Sequence, residues 1–119
     1  MKELSRNSKE DCLSLMLSVR DALDVINGKW KLLIIISLVN GNKRFREIER
    51  SIPKISSKVL AKELKDLEDH KLIKRTAYDG TPVLVEYTAT EYVNTLENVI
   101  LELYAWGQNH RQKIIGKTQ

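Results

Sequence analysis

A single cysteine, two prolines, five glycines and one phenylalanine leave little room for several kinds of chemistry in this 119-residue sequence. With only Cys12, no disulfide can form within the chain. A lone thiol reads most simply as a small apolar side chain, with a redox role or an intersubunit disulfide as the sharper alternative. The longest aliphatic run, Leu32 to Ile36, breaks at Ser37, far short of the ~20 residues needed to cross a bilayer. The first eleven residues are polar and carry no apolar signal region, so the expected location is cytoplasmic, with no membrane partner. The two histidines, His70 and His110, have no cysteine or carboxylate at metal-ligand spacing. No glycine-rich phosphate loop occurs either. An enzyme, a resident cofactor and a metal site are therefore not expected.

Charge placement is more informative. Net charge is +4, but Lys43 to Arg75 holds eleven basic and six acidic residues, a local excess of +5. The remainder carries a net −1. A positive patch of this kind attracts polyanions.

Repeats, low-complexity tracts and linkers are absent, so one domain over 1–119 is expected, with 1–11 as a flexible arm. Helical spacing of Leu13, Met16, Leu17, Leu23 and Ile26 predicts a helix from Cys12 to Ile26, stopped by Asn27-Gly28. A second helix, from Lys29 or Trp30 to Val39, is apolar on nearly every side and predicts a core helix, with a buried strand as competitor. A short third helix covers Arg44 to Ser51, burying Phe45 and Ile48 and exposing Arg44, Arg46, Glu47, Glu49 and Arg50. A fourth opens at Ser56 or Ser57 and ends near His70. Its inward stripe is Val59, Leu60, Leu64 and Leu67, while Lys58, Lys62 and Lys65 share an outward face. Two strands, Lys74–Tyr78 and Val83–Thr88, flank the turn Asp79 to Pro82. A last helix from Glu91 to Ile114, capped by Thr90, carries more apolar length than this small body can cover.

A short helix, a turn, a longer helix and then a hairpin is a winged helix-turn-helix. The fold class expected is thus mainly α with a small β-hairpin, its N- and C-terminal helices forming a dimer interface. One helix fits the major groove if its outer face is polar and cationic. The segment 56–70 meets that requirement, and the wing at about 74–88 would lie on flanking DNA. Ser56, Ser57 and Lys58 stand at the end that approaches base edges. Lys54, Lys62 and Lys65 are further candidates, with Arg44 and Arg46 on the backbone and Lys74, Arg75 and Gly80 from the wing. The expected partner is double-stranded operator DNA. Uncovered apolar length on the terminal helices points to a second copy. Leu13, Met16, Leu17, Leu96, Val99, Ile100, Leu103 and Trp106 are the candidate interface. A protein-binding winged helix is the main competitor, because the fold serves both uses. RNA binding lacks the exposed aromatics it needs in the basic segment.

Ordered motifs add to this reading. They are Gly28-Lys29-Trp30, Arg44-Phe45 with Glu47-Ile48, and Ile55 to Leu60. Leu64 to Glu68, Leu72 to Arg75, Pro82, Val85-Glu86-Tyr87, Thr90 and Trp106-Gly107 follow. The set resembles the HxlR-type, MarR-like winged-helix regulators of bacteria over about Ala22 to Gly107. The resemblance implies a dimeric transcription regulator whose terminal helices pair and whose fourth helix enters the major groove. The family pattern has glycine where Lys71 and Val93 stand. Lys71 is therefore expected in a left-handed conformation or under a different cap, and Val93 should stiffen the start of the last helix. Many members carry a cysteine before the first conserved helix; by spacing from Trp30 it falls near Met16, not Cys12. The signal, small molecule or oxidant, is left open, with Trp30, Tyr104 and Trp106 as candidates for lining a pocket.

Overall fold

In the computed structural model, residues 8–116 are described. Helix α1 spans Lys9–Ile26, with the Ser8 hydroxyl accepting from the Asp11 N–H at its start. The helix thus begins three residues before Cys12, so the predicted flexible arm is too long; its first seven residues lie outside the described part. Asn27 ends α1 in an extended conformation, and only Gly28 is left-handed, at φ +77. Helix α2 is Lys31–Val39, α3 is Phe45–Ser51 and α4 is Ser57–Asp69. Strands β1 (Ile73–Tyr78) and β2 (Leu84–Ala89) form an antiparallel hairpin in which Ile73 faces Ala89 and Tyr78 faces Leu84.

The last segment departs from the single helix predicted. Glu91–Leu96 is a 3-10 helix, and the α-helix, α5, covers only Glu97–Ile115. Thr90 precedes it without capping it, because its hydroxyl donates to the carbonyls of Lys71 and Leu72 instead. Val93 does not stiffen a helix start; its side chain is buried in the core.

One core lies between α2, α3, α4 and the base of the hairpin. Ile34 and Ile35 of α2 meet Ile48, Leu60, Leu64 and Leu67, closed by Leu72, Ile73 and Val93. Truncating a fully buried leucine such as Leu64 to alanine would cost about 2–5 kcal/mol. α2 is central, as its composition predicts, but it is not buried all round. Leu33, Ile36 and Val39 lie along one uncovered side. Lys31, by contrast, is buried, and so is Ser37, whose hydroxyl meets that of Ser51 at 2.6 Å.

Helices α1 and α5 project from this body. Neither contains a buried residue. The extents are 60 × 43 × 23 Å and the radius of gyration is 17.8 Å. A compact chain of this length has about 13.5 Å.

Candidate nucleic-acid interface

The turn between α3 and α4 sets the geometry. Ile52 leaves α3 extended, as Pro53 requires, and Ile55 is buried beneath the turn. Lys54 between them is left-handed at φ +67. Lys71, at the far end of α4, has the same φ, as the substitution for glycine predicted. An L-residue in this region is disfavoured by about 1–2 kcal/mol. Both ends of α4 are therefore bounded by lysines at positions that glycine would fill with less strain.

Ser56 caps α4, its oxygen accepting from the Val59 N–H at 3.1 Å. Among the described residues its own O–H has no acceptor, so it remains available to a ligand. The Ser57 hydroxyl is engaged, donating to Glu49 of α3. Glu49 is therefore half-buried rather than exposed. The same correction applies to Glu47, whose carboxylate accepts from the backbone N–H groups of Lys43 (3.0 Å) and Arg44 (3.1 Å). Those bonds favour the charged form and hold the Glu47 carboxyl below its ordinary range.

Lys54, Lys58, Lys62 and Lys65 are all exposed. Lys62 pairs with Asp66 at 3.0 Å and Lys65 with Asp69 at 3.2 Å. Such exposed pairs are worth little and exchange readily for another anion. Neither Lys54 nor Lys58 makes an ion pair among the described residues. Arg44 and Arg46 are exposed on α3 and, with Arg50, border a concavity closed by Val83, Leu84 and Val85. The wing is tied to this edge by the Tyr87 N–H, which donates to the Lys43 carbonyl at 2.8 Å. Lys74 and Arg75 are consecutive in β1, so the pleat sends them to opposite faces. Gly80 is exposed at the hairpin tip. The fold thus brings α3, α4 and the wing into one basic surface, with Lys74 and Arg75 on different sides of the wing.

The candidate interface residues divide in two. Leu13, Met16, Leu17, Val99, Leu103 and Trp106 are exposed on α1 and α5. Leu96 and Ile100 instead pack partly on the chain's own core. Trp30 also packs there, with Lys29 over its ring. Tyr104 and Trp106 stay exposed, Trp106 stacked on His110. Cys12 is a free, exposed thiol on α1. No cluster of potential metal ligands occurs among the described residues.

Sequence reasoning missed Lys31, because a lysine opening a helix reads as solvated. It missed the engagement of Ser57 and Glu49, a tertiary pairing eight residues apart.

The HxlR-like helix-turn-helix family matches residues 25–115. The chain belongs to that family. It is 41% identical over 102 residues to the HTH-type transcriptional regulator YtcD of Bacillus subtilis, covering 86% of this chain and 81% of that one. The redox regulator HypR in its reduced form superposes with a TM-score of 0.75 at 37% identity, covering 82% of this chain and 96% of that one. A MarR-family regulator from Enterococcus faecalis superposes at 0.69 with 32% identity, covering 93% and 96%. The mainly helical winged helix-turn-helix expected from the sequence is the fold observed, and the chain is a DNA-binding transcription regulator of the MarR-like type. No described helix is long and apolar enough to cross a membrane.

Proposed function

We propose that the protein acts in the cytoplasm as a homodimer that binds a specific double-stranded operator, with no catalytic activity. Two copies pair through α1 and α5, and each presents α4 to a major groove. The observation that carries this reading is the division of α4 into two faces. Leu60, Leu64 and Leu67 are buried, while Lys58, Lys62 and Lys65 face outward behind a serine cap. Ser56, with its free O–H, and Lys58 are the base-reading candidates. Ser57 serves by holding α3 against α4. Arg44, Arg46 and Lys54 meet the backbone, and Lys74, Arg75 and the Gly80 turn reach flanking DNA. The uncovered stripes of α1 and α5 support pairing, since a monomer rarely exposes so much contiguous apolar surface.

A gel-shift titration against DNA upstream of the protein's own and neighbouring genes tests this. One fragment should bind far more tightly than competitor DNA, and its affinity should fall steeply with salt. Equal affinity for all fragments would overturn specific recognition.

A thiol response is the second reading. The Cys12 thiol is exposed on α1, and HypR, a structural relative, is named as a redox regulator. Oxidant should then alter the gel shift of the native chain but not of Cys12→Ser; identical behaviour of the two would remove this reading.

A further inference from the structure

Lys31 is only 4% exposed, although lysine is among the residues least often fully buried. Its ammonium donates to the Asn27 side-chain oxygen at 3.2 Å and to Glu63 Oε1, and lies 3.4 Å from Asp66 Oδ2. Glu63 and Asp66 belong to α4. Lys62 holds the same two carboxylates from the solvent side, 3.0 Å from Asp66 Oδ2 and 4.0 Å from Glu63 Oε2. Two carboxylates are therefore sandwiched between a buried ammonium and an exposed one.

The balance within α4 gives this arrangement its meaning. The helix carries three lysines (58, 62 and 65) against four acids, Glu63, Asp66, Glu68 and Asp69. On its own it is net acidic, an unfavourable element to bring against a polyanion. The compensating charge comes from another helix and reaches α4 from beneath.

We propose that Lys31 is a positioning residue for DNA binding: by neutralising Glu63 and Asp66 from within the core, it frees Lys62 to leave Asp66 for a DNA phosphate. This rests on the reading of α4 as the DNA-binding helix. If Lys62 were the sole cation beside two carboxylates, one of them largely buried, its departure would leave them uncompensated. With Lys31 in place, Lys62 exchanges one exposed ion pair for another. The same ammonium also bonds Asn27 where α1 ends, so the end of the uncovered terminal helix and α4 share one contact.

The test is the salt dependence of operator affinity for the full chain, Lys62→Met, Lys31→Met and the double variant. In the native background Lys62→Met should lower the slope of log affinity against log salt by about one. In the Lys31→Met background, where the slope has already fallen by about one, Lys62→Met should leave it unchanged. An equal loss in both backgrounds would overturn the proposal and leave Lys31 a purely structural residue. Because Lys31→Met strands two carboxylates and can unfold the chain, a second variant removes them as well. Lys31→Met with Glu63→Gln and Asp66→Asn should keep the native slope, and Lys62→Met should again cost about one. A slope that stays reduced in that variant would also overturn the proposal. A native chain that binds no DNA would instead sink the reading of α4 itself.

Discussion

The hydroxyl of Thr90 donates to the carbonyl of Lys71 at 2.8 Å, closing the end of α4 with a side chain nineteen residues further along. It also reaches the Leu72 carbonyl at 3.1 Å, which the Thr90 N–H meets at 3.0 Å. The hairpin is thereby anchored to the helix it follows. Thr90→Val keeps the shape and removes the hydroxyl, and should cost about 1 kcal/mol. Urea unfolding would show a lower midpoint at unchanged slope, with Thr90→Ser recovering most of the loss. An unshifted midpoint would remove this role.

Lys54 and Lys71 share a left-handed backbone but differ in what they face. Replacing either with glycine should raise stability by about 1 kcal/mol, the relief of side-chain strain exceeding the added entropy of the unfolded chain. The melting temperature should rise by roughly 3–6 °C for a chain of this size. Only Lys54→Gly should weaken operator binding. A Lys54→Gly protein that is both more stable and equally tight would remove Lys54 from the interface.

Glu47 links the start of α3 to pH. Its carboxyl is held below the ordinary range by the backbone N–H groups of Lys43 and Arg44. A lowered folded value means that the stabilisation is fully present above the unfolded value and is lost as pH falls through the folded one. The native chain should therefore exceed Glu47→Gln in stability at neutral pH, and the gap should close under acid. Melting curves of both proteins between pH 7 and pH 3 would check this; a gap of constant size would contradict it.

Lys58→Ala combined with Lys62→Ala should leave helix content and oligomeric state intact, because both side chains are exposed. Operator affinity should fall, and the salt slope should shrink by about 1.8 for two lost phosphate contacts. Unchanged gel shifts would reject these contacts.

Leu103 is 51% exposed on α5, beside the equally uncovered Val99 and Trp106. A buried, unpaired carboxylate is strongly unfavourable at an apolar contact. Leu103→Glu should therefore convert a dimer into monomers in light scattering at micromolar concentration. Persistence of the dimer mass would place the interface elsewhere.

The parts of this molecule written in local spacing were legible in its sequence. Leu60, Leu64 and Leu67 opposite Lys58, Lys62 and Lys65 define α4 through helical period alone, and Asp79 to Pro82 defines the hairpin turn. Lys71 was legible as a left-handed position through the family's glycine. What escaped depends on partners distant in sequence. Lys31 is buried because Glu63, thirty-two residues away, accepts its proton. Thr90 forgoes its capping role because α4 offers it two carbonyls. Glu49 turns inward because Ser57 lies across the turn. In each case one hydrogen bond to another element overrides the local preference of the residue.

Helix α1, eighteen residues long, buries nothing in its own chain. An isolated helix of that length is only marginally stable in water. Its order must then come largely from whatever covers it, and with a second copy as the cover, the thermal midpoint rises with protein concentration. Such a regulator would register its own abundance: when scarce, it would lose the terminal helix and with it the paired grip on DNA, before the core of α2, α3 and α4 begins to loosen.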